Sequence, residues 1–200
     1  MSVDAVILAG GYSTRADGFK MEFDIEGKTI LQRCIEGFYD SCRKIIVVTG
    51  FKYEKIEKLV KDYEKVVTVY NDNYSKGMFT SIKKGILQVE SEKFFLTPGD
   101  YPLINKKIVD DILTKSIKEK NKNKEVIIPS FYGIGGHPIL VDSSIVQDIL
   151  IKSDDYNLRE FLKNRKVAYE IIEDKSIIID VDTAQDYNEA LSEFNKKLIE

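Results

Sequence analysis

Short apolar runs alternating with helical stripes constrain the fold of this chain more than any other feature. Val3 to Leu8, Ile45 to Val48, Val66 to Tyr70, Phe94 to Leu96 and Val126 to Ile128 are rich in apolar and β-branched residues, the pattern of strands covered on both faces. Between them, apolar residues recur at helical spacing: Ile30, Leu31, Cys34, Ile35 and Phe38; Ile56, Leu59, Val60 and Tyr63; Ile82, Ile86 and Val89; Ile108, Val109, Ile112 and Leu113. That alternation is the signature of βαβ units. The expected fold class is α/β, a single-domain Rossmann-like three-layer sandwich around a mostly parallel mixed sheet.

The rhythm breaks after Ile128. Pro129 to Pro138 is turn-rich and leads into a further strand, Ile139 to Val141, which predicts an antiparallel interruption of the sheet. Helices over Ser144 to Ile151 and Leu158 to Lys163 precede two more expected strands, Val167 to Ile172 and Ile177 to Val181. A last helix begins at Thr183, with Asp186 completing an imperfect capping box, and its buried stripe reads Tyr187, Ala190, Leu191, Phe194 and Leu198. Lys118 to Lys124 has no apolar period and reads as a frayed helix end and surface loop without a ligand role. At 200 residues the chain suits one domain, spanning 1–200, with no evident linker.

Charge narrows the partners. With 30 basic and 33 acidic residues the net charge is −3, which gives no electrostatic case for nucleic acid or an anionic membrane, so any anion must be bound locally. No export signal or apolar span long enough for a membrane is visible. Cys34 and Cys42 lack the spacing of a zinc site or redox pair and read as reduced thiols of a cytoplasmic protein.

In open α/β sheets ligands bind beyond the carboxyl ends of the strands, and four such junctions carry unusual chemistry. The first is Ala9-Gly10-Gly11-Tyr12-Ser13-Thr14-Arg15, followed by Lys20. Paired glycines let the backbone curl around one anion, and an arginine fork with a lysine ammonium neutralises a polyphosphate. An ordinary βα turn with solvated cations is the competing reading. The segment lacks both the dinucleotide fingerprint and a Gly-Lys-Ser/Thr P-loop.

The second junction runs from Asn71 to Ser81 and ends at a helix start, where free N–H groups and the hydroxyls of Thr80 and Ser81 are candidates for a ribose or base edge; N-capping is the alternative. The third, Thr97-Pro98-Gly99-Asp100-Tyr101-Pro102-Leu103, sets a carboxylate on a proline-braced turn. Asp100 is placed as a Mg2+ ligand, because magnesium takes one or two carboxylates with phosphate oxygens and water, while an Asx-turn role competes. In the fourth, Ile179-Asp180-Val181-Asp182-Thr183, alternation puts Asp180 and Asp182 on one face, with helix capping as a compatible role for Asp182 or Thr183.

His137, the one histidine, lies in Gly135-Gly136-His137-Pro138. A lone histidine makes no zinc site, and no serine or cysteine nucleophile sits in a triad pattern. It reads either as lining an acceptor pocket or as a loop residue bonded to backbone.

Together these segments resemble the molybdopterin nucleotidyltransferase family, nearly end to end, and within it the molybdenum cofactor cytidylyltransferase-like members. Leu8 to Lys20 looks like that family's triphosphate loop, Gly77 to Gly85 like its nucleoside segment, and Pro98-Gly99-Asp100-Tyr101-Pro102-Leu103 like its metal-binding turn. Pro129 to Leu140 is similar to its acceptor-side loop and Asp180 to Asp186 to its C-terminal motif. The resemblance implies nucleotide binding by Leu8, Ala9, Gly10, Gly11, Lys20, Gly77, Thr80 and Ser81. It implies catalytic roles for Arg15, Lys20 and Asp100, metal binding by Asp100 and Asp182 with Asp180 as the runner-up, and acceptor binding by Gly136 and His137. Residues 1–100 would form the NTP-binding half and 101–200 the acceptor half.

The implied reaction is Mg2+-dependent transfer of CMP, or less favourably GMP, from NTP to the phosphate of molybdopterin, with pyrophosphate released and a molybdoenzyme as a further partner. A sugar- or alditol-phosphate nucleotidyltransferase and a non-catalytic molybdenum cofactor chaperone are the rival readings. Three departures from the pattern matter. Gly10 stands where cytidylyltransferases usually have alanine and matches the guanylyltransferases instead, and Asp17 and Glu22 bring negative charge to the anion loop.

Overall fold

A computed structural model describes residues 2–12 and 18–199 of the chain. The strands are β1 (Val3–Leu8), β2 (Asp24–Ile25), β3 (Lys28–Thr29), β4 (Lys44–Thr49), β5 (Val66–Tyr70), β6 (Lys93–Pro98), β7 (Val126–Phe131), β8 (Ile134–Gly135), β9 (Ile139–Asp142) and β10 (Val167–Ile171). The helices are α1 (Ile30–Tyr39), α2 (Tyr53–Val60), α3 (Met78–Ile86), α4 (Lys106–Ser116), α5 (Val146–Leu150), α6 (Leu158–Leu162) and α7 (Ala184–Ile199). The main sheet has the order β10-β7-β9-β6-β1-β4-β5, with β8 paired to β7. β1 runs parallel to β4 and β6, β4 to β5, and β7 to β10. β9 alone on that path runs antiparallel to both neighbours, which is the interruption the turn-rich segment predicts.

Alternation along the strands divides the core between the two faces. Val3, Ala5 and Ile7 of β1 pack with Leu31, Cys34, Ile35 and Phe38 of α1, Ile56 of α2 and Ile108 and Ile112 of α4. Val6 and Leu8 turn the other way, onto Phe79, Ile82 and Ile86 of α3, in a cluster that also takes Ile149 of α5 and Phe161 of α6. Phe38 and Phe95 meet across the first face with ring centroids 5.6 Å apart, both fully buried. Losing either ring costs about 3–5 kcal/mol by the usual large-to-small scale. On the second face, a β-carbon on Gly85 would lie 2.5 Å from Val6 and 2.7 Å from Val48, so glycine there lets α3 sit directly on the sheet.

One expected strand is absent. Lys175–Ile178 forms a 3₁₀ turn, because the Asp174 carboxylate accepts the Ser176 N–H at 2.9 Å and caps it. The chain then runs extended across the carboxyl ends of the sheet without joining it. Ile177, Ile179 and Val181 are buried, and two backbone bonds tie this strap to the rest of the domain, His137 N–H to Ile177 O at 2.8 Å and Val181 N–H to Asp100 O at 2.9 Å. Ile179 and Val181 complete a small third cluster with Ile25, Ile30, Leu103 and Ala190, where α7 docks, while Ile177 packs in the first.

α7 starts where Thr183 and Asp186 cap reciprocally, Thr183 N–H to Asp186 Oδ2 at 2.8 Å and Asp186 N–H to Thr183 Oγ1 at 3.2 Å. Leu198, expected in the buried stripe, is 67% exposed, although Lys197 beside it still reaches Asp174 and Ser176. Asn121 makes Lys118 to Lys124 more than a surface loop. It is buried and donates to Glu170 Oε1 and to the Lys115 carbonyl. Among the described residues no helix is long and apolar enough to cross a membrane.

Candidate active site

A cavity of about 440 Å³ opens at the carboxyl ends of β1 and β6. It is lined from β1 and its loop by Leu8, Gly10, Gly11 and Tyr12, from the following 3₁₀ turn by Lys20 and Met21, and from the start of α3 by Gly77, Met78 and Ser81. The end of β6 contributes Pro98, Asp100 and Tyr101, and the strap contributes Asp180 and Asp182. Thus the four junctions singled out in the sequence meet in one place. Gly77 has φ 115° and ψ 172°, a conformation that only glycine adopts readily, and this bend lets the first turn of α3 face the cavity.

The tightest polar cluster joins three elements distant in sequence. Lys20 Nζ lies 2.5 Å from Asp100 Oδ2 and 2.9 Å from Asp182 Oδ1, and the three side chains are only 12%, 14% and 24% exposed. Burial by itself would lower the pKa of this lysine, but the two carboxylates outweigh it and hold the ammonium above its ordinary value. Asp180 is half-buried beside them. Desolvation first, then the charges of Asp100 and Asp182, raise its carboxyl above the usual carboxylate range. The Tyr101 hydroxyl is raised as well, by burial and by the same three aspartates.

These surroundings fit a divalent cation. Asp100 Oδ1 is buried with no hydrogen-bond partner, and the anionic donors are carboxylate oxygens, the ligands that a hard ion prefers. Charge points the same way. Among the described lining residues Lys20 is the one cation against three aspartates, a carboxylate-rich lining that suits a cation. No group of three or more His, Cys, Asp or Glu residues among those described has metal-holding geometry, so substrate oxygens and water would have to complete the shell.

Not every sequence candidate faces the cavity. Thr80 is buried, with its hydroxyl 2.8 Å from the Gly77 carbonyl and 3.0 Å from that of Asn73, and it accepts from Asn71 Nδ2 at 2.9 Å. It secures the turn into α3 from the inside; neither it nor Ser81 is the N-cap, which is Gly77. Ser81 accepts the other Asn71 Nδ2 proton at 2.9 Å, which leaves its own proton available to the cavity it lines. Ala9 is buried, its N–H bonded to Val48 O. Gly136 is wedged against Ile177, whose carbonyl oxygen would lie 2.1 Å from an added β-carbon. His137 packs on Tyr101, ring centroids 4.9 Å apart, with Nδ1 3.4 Å from Leu96 O. Burial lowers its pKa, against smaller opposing contributions from the Leu96 carbonyl and Asp100. His137 and Gly136 therefore stand behind the Asp100 turn and outside the cavity lining. Arg15 and Asp17 lie outside the described residues.

Glu22, one of the unwelcome charges, pairs with Lys55 at 2.5 Å, so its carboxylate is compensated away from the Lys20 cluster. Sequence reasoning passed over an aromatic wall. Tyr12 contacts Phe51 and Tyr74 at 5.3 and 5.4 Å, and Tyr12 and Tyr74 line the cavity. It gave no separate role to Asn71, the first residue of the second junction, whose sequence signal is a polar residue directly after a strand.

A family model described as a MobA-like NTP transferase domain matches residues 5–169. The chain is 31% identical to the molybdenum cofactor cytidylyltransferase of Escherichia coli over 93% of this chain and 94% of that one. It is 26% identical to a probable molybdenum cofactor guanylyltransferase of Natranaerobius thermophilus, over 96% and 89% of the two chains. In fold it matches a nucleotidyl transferase of Methanothermobacter with a TM-score of 0.83 at 16% identity, covering 98% of this chain and 99% of that structure.

Proposed function

Because the chain belongs to the MobA-like NTP transferase family, we propose that it transfers a nucleoside monophosphate, CMP in preference to GMP, from an NTP to the terminal phosphate of a molybdopterin-type cofactor. The observation that carries this reading is the cluster of Lys20, Asp100 and Asp182 in a cavity at the carboxyl end of a parallel sheet. Support for the acceptor comes from the names of the two relatives, and the higher identity to a cytidylyltransferase favours CTP.

In this reaction an oxygen of the acceptor phosphate attacks the α-phosphorus of the donor, a new P–O–P bond forms, and the bond to the β-phosphate oxygen breaks to release pyrophosphate. The nucleophile is already anionic, so no strong general base is required. The difficulty is repulsion between two anions and the charge gathering on the leaving group. Lys20 offsets that charge on the donor side, with Arg15 assigned the same task. The N–H groups of the loop at Gly10 and Gly11 and the first turn of α3 at Gly77 hold the donor, with Ser81 as the hydroxyl nearest the nucleoside. Asp100 and Asp182 would hold a divalent cation, Mg2+ in our reading, which when bound supplies Lewis-acid neutralisation of phosphate oxygens. Residues 101–200 would provide the acceptor side, where Gly136 and His137 act by bracing the Asp100 turn, and a molybdoenzyme would receive the product.

The test is pyrophosphate release from each of the four NTPs, with and without Mg2+, in the presence of purified molybdopterin. Metal-dependent release with CTP exceeding GTP is expected. No release with any NTP, together with no thermal stabilisation by any of them, would sink the reading.

A further inference from the structure

The ammonium of Lys20 engages both carboxylates assigned above to the divalent cation, at 2.5 Å from Asp100 and 2.9 Å from Asp182. We propose that Lys20 is an internal competitor for that cation, released from the two aspartates by the donor triphosphate, so that metal loading of the site is conditional on nucleotide. This inference rests on the reading of Asp100 and Asp182 as metal ligands.

Like charges cannot share such a position cheaply. A divalent ion in contact with Asp100 Oδ2 and Asp182 Oδ1 would sit within a few ångströms of the ammonium, in surroundings too buried for water to screen the repulsion fully. Either the ion is excluded or the lysine leaves. Lysine is suited to leave, since its charge is a point on a flexible four-carbon stem and it gives up no bidentate geometry on moving. Lys20 also projects from a short 3₁₀ turn, Lys20–Glu22, and not from the middle of a long helix.

The place it would go is the donor. Among the described residues lining the cavity Lys20 is the only cation, so an incoming triphosphate meets an ammonium there that can turn to it. Once the ammonium turns to phosphate, Asp100 and Asp182 lose the positive charge they shared, and the buried Asp100 Oδ1 lacks a hydrogen-bond partner already. The pair then favours a divalent ion far more than before. By linkage the effect is reciprocal, and metal strengthens nucleotide binding by the same factor. The arrangement keeps the carboxylates compensated in the free enzyme and the cation reserved for a nucleotide-bound one.

The experiment measures Mn2+ binding to the full chain without nucleotide, by the loss of the free-ion EPR signal, for wild type, Lys20→Met, Lys20→Gln and Lys20→Arg. Removing the competitor should tighten Mn2+ binding by about tenfold or more in the Met and Gln variants, while Arg, still cationic, stays near wild type. With EDTA present, equilibrium dialysis should show CTP binding weakened by about tenfold in the Met and Gln variants. In nucleotide-free, chelator-free buffer both should melt below wild type and recover more than wild type when Mn2+ is added. Unchanged or weaker Mn2+ binding in the Met and Gln variants overturns the competition, and unchanged metal-free CTP binding overturns the release. Asp100→Ala separates the levels. If it abolishes Mn2+ binding while the lysine variants gain nothing, only the competition falls; if it binds Mn2+ like wild type, the metal assignment itself falls.

Discussion

Val181 donates its backbone N–H to the carbonyl of Asp100 at 2.9 Å, and this bond fastens the C-terminal strap to the turn that ends β6. The residues on either side of Val181, Asp180 and Asp182, are thereby held in the cavity with Asp100, although about eighty positions separate the two segments in sequence. A carboxylate cluster built this way depends on a backbone bond and on the burial of Val181, so its members should be separable by mutation.

Asp100→Asn keeps the volume and removes the charge facing Lys20. Metal-dependent pyrophosphate release should fall by about a hundredfold or more, the scale of losing one electrostatic element of a transition state. Circular dichroism should be unchanged, because the β6 turn is held by backbone bonds such as Gly99 N–H to Leu8 O. Wild-type activity in this variant would remove Asp100 from the site.

Gly10 and Gly50 test whether the first loop sets the base. A β-carbon on Gly50 would lie 2.6 Å from Tyr74 Cβ and 2.9 Å from Gly10 O, so Gly50→Ala must push Tyr74 or the loop and should cost about 1–3 kcal/mol in denaturant unfolding. On Gly10 the closest contacts are 3.3 Å, to the backbone of Thr49 and Gly50, so alanine there needs a much smaller shift. Gly10→Ala should therefore lower stability slightly and leave the ratio of CTP to GTP turnover unchanged; a reversed ratio would make position 10 a reader of the base.

Glu90 supplies a pH-dependent brace far from the cavity. Hydrogen bonds and charge from Lys44 and Arg43 hold its carboxyl down at about 2, below its ordinary value of 4.5. A depressed folded-state pKa means that the stabilisation is fully present above the unfolded value and is lost as pH falls from there through about 2. Glu90→Gln should lower the melting temperature by a small amount at pH 7, since the group is exposed and screened, and the gap to wild type should close across that acid window. A gap of the same size at pH 2 would assign the effect to something other than charge.

Periodicity made the layers legible, and long-range contact hid much of the site. The strand reading of Val3 to Leu8 coincides with β1 because a strand buried on both faces has little choice of residues. The same logic failed at Ile177 to Val181, where Ile177 is buried in the first-face core and Ile179 and Val181 in the cluster under α7, without strand pairing. Periodicity reports burial, and the Asp174 cap decided the backbone. The Asp100 turn and Lys20 were readable as strand-end chemistry, and the two late aspartates were singled out on the expectation of a strand that the chain does not form. That Gly136 and His137 brace the turn from behind was not, since the wedge against Ile177 and the packing on Tyr101 involve partners about forty residues away.

Thr80 and Ser81 are adjacent in sequence and nearly equally buried, yet they face different tasks, which one pair of variants can resolve. Asn71 Nδ2 donates one proton to each hydroxyl at 2.9 Å, so removing either hydroxyl leaves a buried N–H unpaired, at about 1–3 kcal/mol. Both Thr80→Ala and Ser81→Ala should therefore unfold at lower denaturant concentration. They should part company in kinetics. Thr80 is engaged with Gly77 and Asn73 and is absent from the cavity lining, whereas Ser81 is part of that lining with a proton left to donate. Ser81→Ala should raise the KM for the donor NTP several-fold with kcat little changed, the mark of a contact made equally in ground and transition states. Thr80→Ala should leave that KM within about twofold of wild type at a temperature where the variant is fully folded. Equal KM increases in both would mean that the two hydroxyls act only by positioning α3, and that neither touches the nucleotide.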